Sequence, residues 1–230
     1  MFWVLALFGL VLLLLNLAYL VETKPATTGP ARFTLRDFSA VLSVPTGRAI
    51  MLLGFFQYFA FYTFLVFLPS LLVTYYHLSP SQNGLVFLPL SLSVVLGSVV
   101  GGRLQERFQP KRFLVLTASL NVLATLVFAL VVAISLPVLL VSLALFGICL
   151  GLSLPVQTTL LANEFSRNRA TAVGLYNFFR FIGMAAGPLV GTYFSSFGNR
   201  VEFVAAAAVF GAAVLYAAGQ FRRTHPVPAT

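Results

Sequence analysis

Asn177 and Arg180 stand three residues apart inside an apolar run, and they are the residues best suited to holding a polar or charged partner. A guanidinium at the centre of a membrane-spanning helix is disfavoured by about 2.5–3.5 kcal/mol on insertion scales, so it needs a cavity or a partner. Val173, Asn177, Met184, Gly187 and Gly191 share its face at helical spacing. The expected chemistry is a fixed positive charge in a water-filled cavity, attracting an anionic group or ordering a polar network. The alternatives are snorkelling toward headgroups and bonding to the carbonyls of a broken neighbouring helix.

A second constellation is aromatic. Tyr58, Phe61, Tyr62 and Leu65 share one helical face, and Gln57 adds a donor and an acceptor beside them. Rings with one polar tip suit a mostly apolar pocket with a few orienting hydrogen bonds. Phe56, Phe59 and Phe67 cover the other sides, so lipid-facing filler is the competing explanation.

Covalent chemistry has no foothold. No aspartate pair lies within a span, no histidine cluster occurs, and His77 and His225 fall in a loop and in the tail. A Gly-x-Ser-x-Gly elbow is also missing. A single Cys149 excludes an internal disulfide and a cysteine-based metal site. Neither an enzyme nor a cofactor nor a metal is expected.

The charged segment from Gly102 to Arg112 carries the third signal. Arg103 and Arg107 flank Glu106, while Lys111 and Arg112 open the next helix. Such a link can hold adjacent helix ends by ion pairs in one state and release them in another. Glu164, Arg167 and Arg169 at a later link are the expected partners. A plain topogenic cluster is the alternative, since exposed pairs contribute only ~0–1 kcal/mol.

These residues need a scaffold, and hydropathy supplies it. The chain is 60% hydrophobic and 8% charged, with mean hydropathy +0.98. Apolar runs at about 2–20, 49–74, 84–102, 113–134, 138–161, 172–194 and 201–220 each approach the roughly twenty residues an α-helix needs to cross a bilayer. The expectation is an all-α membrane protein with seven transmembrane helices. An outer-membrane barrel would need alternating ~10-residue segments, which these are not.

Basic residues fall on alternate links: Lys24, Arg32, Arg36 and Arg48; Arg103, Arg107, Lys111 and Arg112; Arg167 and Arg169; Arg222 and Arg223. Only Arg200 lies on the other side. That bias sets the expected orientation in the inner membrane, with the basic side cytoplasmic, the N-terminus outside and the C-terminus cytoplasmic. Topology therefore accounts for the net charge of +9, and no nucleic-acid partner is expected. Anionic headgroups attract such a face in general, which makes membrane lipid a partner.

The organisation reads as a lone helix at 1–20, a cytoplasmic linker at 21–48, a six-helix half-bundle at 49–222 and a tail at 223–230. The first run has no cleavage site before Lys24 and reads as a retained helix, with a signal anchor as the alternative. Within the linker, Leu35 to Val44 suits a short amphipathic helix on the inner surface, with Phe38, Val41 and Leu42 on one face. Pro69 and Pro155, then Pro89 and Pro188, interrupt corresponding spans of two three-helix groups, the pattern of a repeat whose broken helices line a midplane site. Gly97 and Gly101, Gly147 and Gly151, and the series Gly183, Gly187 and Gly191 beside Pro188 give small faces for close helix packing.

The segment Gly102-Arg-Leu-Gln-Glu-Arg-Phe-Gln-Pro-Lys-Arg112 resembles the signature loop of the major facilitator superfamily in its second-half copy. Gly102, Leu104, Arg107, Lys111 and Arg112 match, and Glu106 stands for the aspartate. Gln105, Gln109 and Pro110 depart from the pattern. Arg169 to Pro188 resembles the eleventh helix of multidrug-efflux-type members, and the whole chain maps onto helices six to twelve. The resemblance implies a secondary transporter, or half of one, moving a small amphipathic or drug-like solute by alternating access, efflux by antiport being the type it suggests. It also implies a partner, either a missing N-terminal half or a second copy. Glu22, Asp37, Glu106, Glu164 and Glu202 all fall at span ends or in links, so no proton carrier is expected here. A non-transporting structural or regulatory half is the alternative. A seven-helix receptor is disfavoured, and an opsin more so because Lys24 and Lys111 lie in loops.

Overall fold

The computed structural model describes residues 2–20, 35–166, 168–198 and 200–223. The first part of the expected linker, 21–34, together with Arg167 and the tail from 224, including His225, lies outside the described residues. Those residues form eight helices: α1 (Phe2–Tyr19), α2 (Leu35–Ser43), α3 (Pro45–Tyr76), α4 (Pro80–Leu104), α5 (Pro110–Val131), α6 (Leu136–Glu164), α7 (Arg169–Ser195) and α8 (Val201–Arg223). Six of them, α3 to α8, run 22–32 residues and are long and apolar enough to cross a membrane. The shorter α1 forms a unit apart from the rest of the chain. Along it, Asn16 returns its side-chain amide to the Leu12 carbonyl at 2.8 Å, which removes a polar group from an otherwise apolar surface.

Helix starts fall three or four residues before most of the apolar runs. Pro45, Pro80 and Pro110 each occupy the first position of their helix, and Pro137 the second in α6. Proline suits that first turn because its missing N–H would have no intrahelical acceptor there. Ser79 adds a capping box to α4, its backbone N–H donating to Gln82 Oε1 at 2.9 Å. A search for apolar runs passes over these polar first turns.

Two expectations need correction. The prolines at 69, 89, 155 and 188 lie inside continuous helices and do not break them. A proline removes one ladder hydrogen bond, and packed neighbours hold the helix on either side. The amphipathic α2 does not lie free on a surface: Val41 is buried, and Phe38 and Leu42 pack against the same cluster as Ile50 and Phe221. Its apolar face is covered by protein instead of headgroups.

The bundle is built from the two three-helix groups. α4 packs most extensively on α6 and α3 on α7, followed by α3 on α8, α5 on α6 and α5 on α8. Exchanging α3–α5 for α6–α8 leaves this pairing unchanged, which is the relation a repeat predicts. Glycines set the two closest crossings. A Cβ at Gly97 or Gly101 would strike the carbonyls of Ile148 and Leu152, and one at Gly147 or Gly151 would strike those of Leu90 and Val94. A Cβ at Gly183 or Gly187 would strike the carbonyls of Phe55 and Phe59. Lipid provides no hydrophobic drive for association, so dispersion at such close approach supplies it.

The polarity is that of a membrane protein. Val141, Leu189 and Leu215 are 70–75% exposed, while Gln57, Asn121, Thr125, Ser153 and Gln157 are 0% exposed. Inside, one apolar cluster gathers Ile50, Leu114, Leu161 and Phe221 at the basic end. A second gathers Leu68, Leu143 and Phe203 beyond it, with Phe64 stacked on Phe146 at 4.3 Å. Gln57, Asn121 and Ser153 stand between these clusters on their helices, so a polar layer divides the core.

Candidate functional site

Arg180 sits near the middle of α7, facing α3. Its Nη1 donates to Asn177 Oδ1, one turn back, at 3.0 Å, and its Nη2 donates to the Tyr58 hydroxyl. The guanidinium carbon lies 4.0 Å from the Tyr58 ring centroid and 5.3 Å from that of Tyr176. Those distances allow cation–π attraction of about 0.5–2 kcal/mol, the upper figure where water is excluded. The oxygens are neutral, and neither α3 nor α7 contains an acidic residue. Arg180 Nε is buried without a hydrogen-bond partner. The site is thus a half-buried cation on two aromatic faces, held in place and left uncompensated by these partners. The snorkelling and backbone-bonding alternatives do not describe it, since both terminal nitrogens bond to side chains.

Behind the cation runs a buried chain of hydrogen bonds. Tyr176 donates its hydroxyl to Gln157 Oε1 at 2.8 Å, and Gln157 Nε2 donates to Gln57 Oε1. Gln57 Nε2 donates to Ser153 Oγ, which in turn donates to the Leu150 carbonyl at 2.9 Å. Three helices are tied in this way, α3 through Gln57, α6 through Ser153 and Gln157, and α7 through Tyr176. Satisfied polar groups in a low-dielectric interior fix geometry because the alternative leaves a donor or acceptor unpaired. Tyr176 links the two parts, its hydroxyl in the chain and its ring beside Arg180.

The six residues expected to line a cavity divide accordingly. Tyr58, Asn177 and Arg180 meet directly. Gln57 is fully buried in the chain behind them and does not face open space. Phe61 stacks on Phe146 at 6.2 Å and meets Tyr58 edge-on at 6.2 Å, and Tyr62 meets Phe61 edge-on at 5.8 Å. These two extend an aromatic wall from the cation. Ser153, Gln157 and Tyr176 were passed over. The signal for the first two was present: a serine and a glutamine four apart, flanking Pro155, within an otherwise apolar helix.

The charged links form the basic end of the bundle. Arg103, Glu106, Arg107 and Arg112 are exposed, with Gly102 and Lys111 half-buried. Phe108 stacks on Phe113 at 5.7 Å and closes the α4–α5 turn. Glu164 ends α6, and Arg169 opens α7 by donating Nε to the Ala162 carbonyl at 3.2 Å, clipping those two helix ends together. Glu202 does lie at a span end, yet it is 3% exposed, with Oε2 lacking a hydrogen-bond partner. The span-end position is as expected, and the burial of that acid is what the sequence did not indicate. Among the described residues no group of His, Cys, Asp and Glu is placed to hold a metal.

Comparison with known proteins supplies the family. A model of the Major Facilitator Superfamily matches residues 1–134 and again 50–230. An uncharacterized transporter of that type from Bacillus subtilis (strain 168), YceJ, is 29% identical over 197 residues, covering 85% of this chain and 49% of its own length. A putative uncharacterized one from Mycobacterium tuberculosis (strain CDC 1551 / Oshkosh), MT0872, is 32% identical over 165 residues, 71% of this chain and 39% of its own. The chain thus spans about half or less of these relatives. In fold it is similar to the crystal structure of a bacterial homolog of the human lysosomal transporter Spinster, in an inward-facing and unoccupied conformation. That match has a TM-score of 0.71 at 20% identity, over 96% of this chain and 58% of the other.

Proposed function

The chain belongs to the major facilitator superfamily, and from that premise we propose that it is one half of a secondary transporter that moves a small amphipathic solute with an anionic group by alternating access. The observation that carries this reading is the cation of Arg180, held by Tyr58 and Asn177 with its Nε unpartnered. An anion entering there would meet a positioned guanidinium whose desolvation is already complete in part, and Tyr58, Phe61 and Tyr62 would take the solute's apolar body. The lengths of the relatives support a second six-helix half, or a second copy, across the Arg180 face. In this reading the basic end is cytoplasmic, and the charged links at Arg103–Arg112 and Glu164–Arg169 hold that end in one of two states. The resemblance of Arg169 to Pro188 to efflux-type members supports outward transport by antiport.

The test is dye movement in membrane vesicles containing the full protein, with anionic, neutral and cationic amphipathic dyes of similar size. The anionic dye should move, and Arg180→Ala should abolish its movement while membrane insertion is unchanged. Movement unaffected by Arg180→Ala, or confined to cationic dyes, would remove the reading.

A further inference from the structure

We propose that the outer seam between α5 and α8 holds an anionic phospholipid, its headgroup on Lys111, Arg112 and Arg222 and an acyl chain along the seam. At the basic end, α5 and α8, with Leu160 of α6 behind them, line a groove of about 800 Å³ that carries those three cations beside Gln109. Its wall is apolar, from Val115, Leu160, Ala218 and Phe221. No acidic side chain lines it among the described residues.

Ser119 belongs both to this groove and to a second one of about 530 Å³, which continues between the same helices past Val122 and Gly211 to Leu126. From Arg112 to Leu126 is fourteen helical steps, about 21 Å of seam. That exceeds the depth of one hydrocarbon leaflet, about half of 30 Å. The seam is open because α8 presents Ala208, Gly211 and Ala212 there. A Cβ built at Gly211 would meet only Val122, at 3.5 Å. Arg112 and Leu116 also line a neighbouring groove of about 450 Å³ with Arg107 and Phe108, so Arg112 borders both grooves. One anionic headgroup above two chains has that shape.

A general attraction of a basic face for headgroups would spread over every exposed cation at that end. Here cations, apolar depth and leaflet-scale length coincide at one seam, away from the α3–α7 face where Arg180 lies. The proposal does not depend on transport.

Native mass spectrometry of the full chain in a non-ionic detergent tests it, with phosphatidylglycerol and phosphatidylcholine of identical acyl chains. Phosphatidylglycerol should be retained at least about tenfold more strongly. Each cation removed should weaken that retention about fivefold, so Lys111→Gln/Arg112→Gln/Arg222→Gln should erase the preference. Gly211→Leu, which fills the seam, should weaken both lipids. Arg48→Gln, an exposed arginine at the same end but outside the groove, should change nothing. If the triple variant does not purify, the matched pair Arg222→Gln and Arg48→Gln decides alone. Equal losses in that pair, or no lipid preference in the parent, would overturn the proposal. Displacement of the lipid by glycerol phosphate at equal concentration would also overturn it, by making the site one for small anions.

Discussion

Gln157 on α6 donates its side-chain amide to the side-chain oxygen of Gln57 on α3, at a point where both residues are fully buried. The two helices correspond in the repeat and touch little elsewhere, since α3 and α6 have few contacts beside their other pairings. This bond is thus a principal tie between them.

Removing both partners should cost less than the two single removals added together. Gln57→Leu or Gln157→Leu leaves a buried amide with unmet donors and acceptors, a loss of about 1–3 kcal/mol. The double variant should lose less than the sum of the singles. Thermal unfolding in detergent, run as a double-mutant cycle, checks this; strictly additive losses would mean the two amides act independently.

Tyr58 serves Arg180 in two ways, with an accepting hydroxyl and with a ring face. Tyr58→Phe keeps the face and should raise the KM for an anionic dye about ten- to a hundredfold, the value of one hydrogen bond to a charge. Tyr58→Ala should raise it further. Equal effects of the two variants would assign the whole contribution to the hydroxyl.

Glycines at the α3–α7 crossing should tolerate nothing larger. Gly187→Val places atoms against the Phe59 carbonyl and the Thr63 hydroxyl, and should lower the melting temperature sharply or abolish recovery of folded protein. Gly174 on the same helix has open space around its Cβ position. There Gly174→Ala should be neutral or stabilising, by up to about 1 kcal/mol. Similar melting of both variants would mean that the crossing is not tight.

Orientation is open to labelling. Cys149 is buried and free, so single exposed cysteines can be read against a low background. Glu106→Cys, in the α4–α5 link, should react with a membrane-impermeant maleimide only after the cytoplasmic side is opened. Ser81→Cys, at the start of α4, should react in intact cells. The reverse pattern would invert the topology and the proposed leaflet of the lipid seam.

Much of this molecule was legible in its residues. Apolar runs located the spanning helices, and Leu35 to Val44 marked α2 nearly to the residue. Arg180 and Asn177 were placed on one face because polar residues in an apolar helix are few and helical spacing fixes which of them are neighbours, and the structure joins them by a hydrogen bond. Each of those inferences is local. A helix in lipid satisfies its backbone within a single segment, so composition and spacing along that segment are enough to define it.

What the sequence could not supply is which helix meets which. Helices in lipid have no hydrophobic drive that dictates partners, so pairing rests on shape and on the match of buried donors with acceptors. Only the tertiary structure turned Gln57 away from the cation and into a chain with Ser153, Gln157 and Tyr176, residues 96 to 119 positions away. The same packing buried Glu202, carried the helices through their prolines unbroken, and opened the seam between α5 and α8. Those outcomes depend on distances across the bundle, and no pattern along one helix encodes a distance to another.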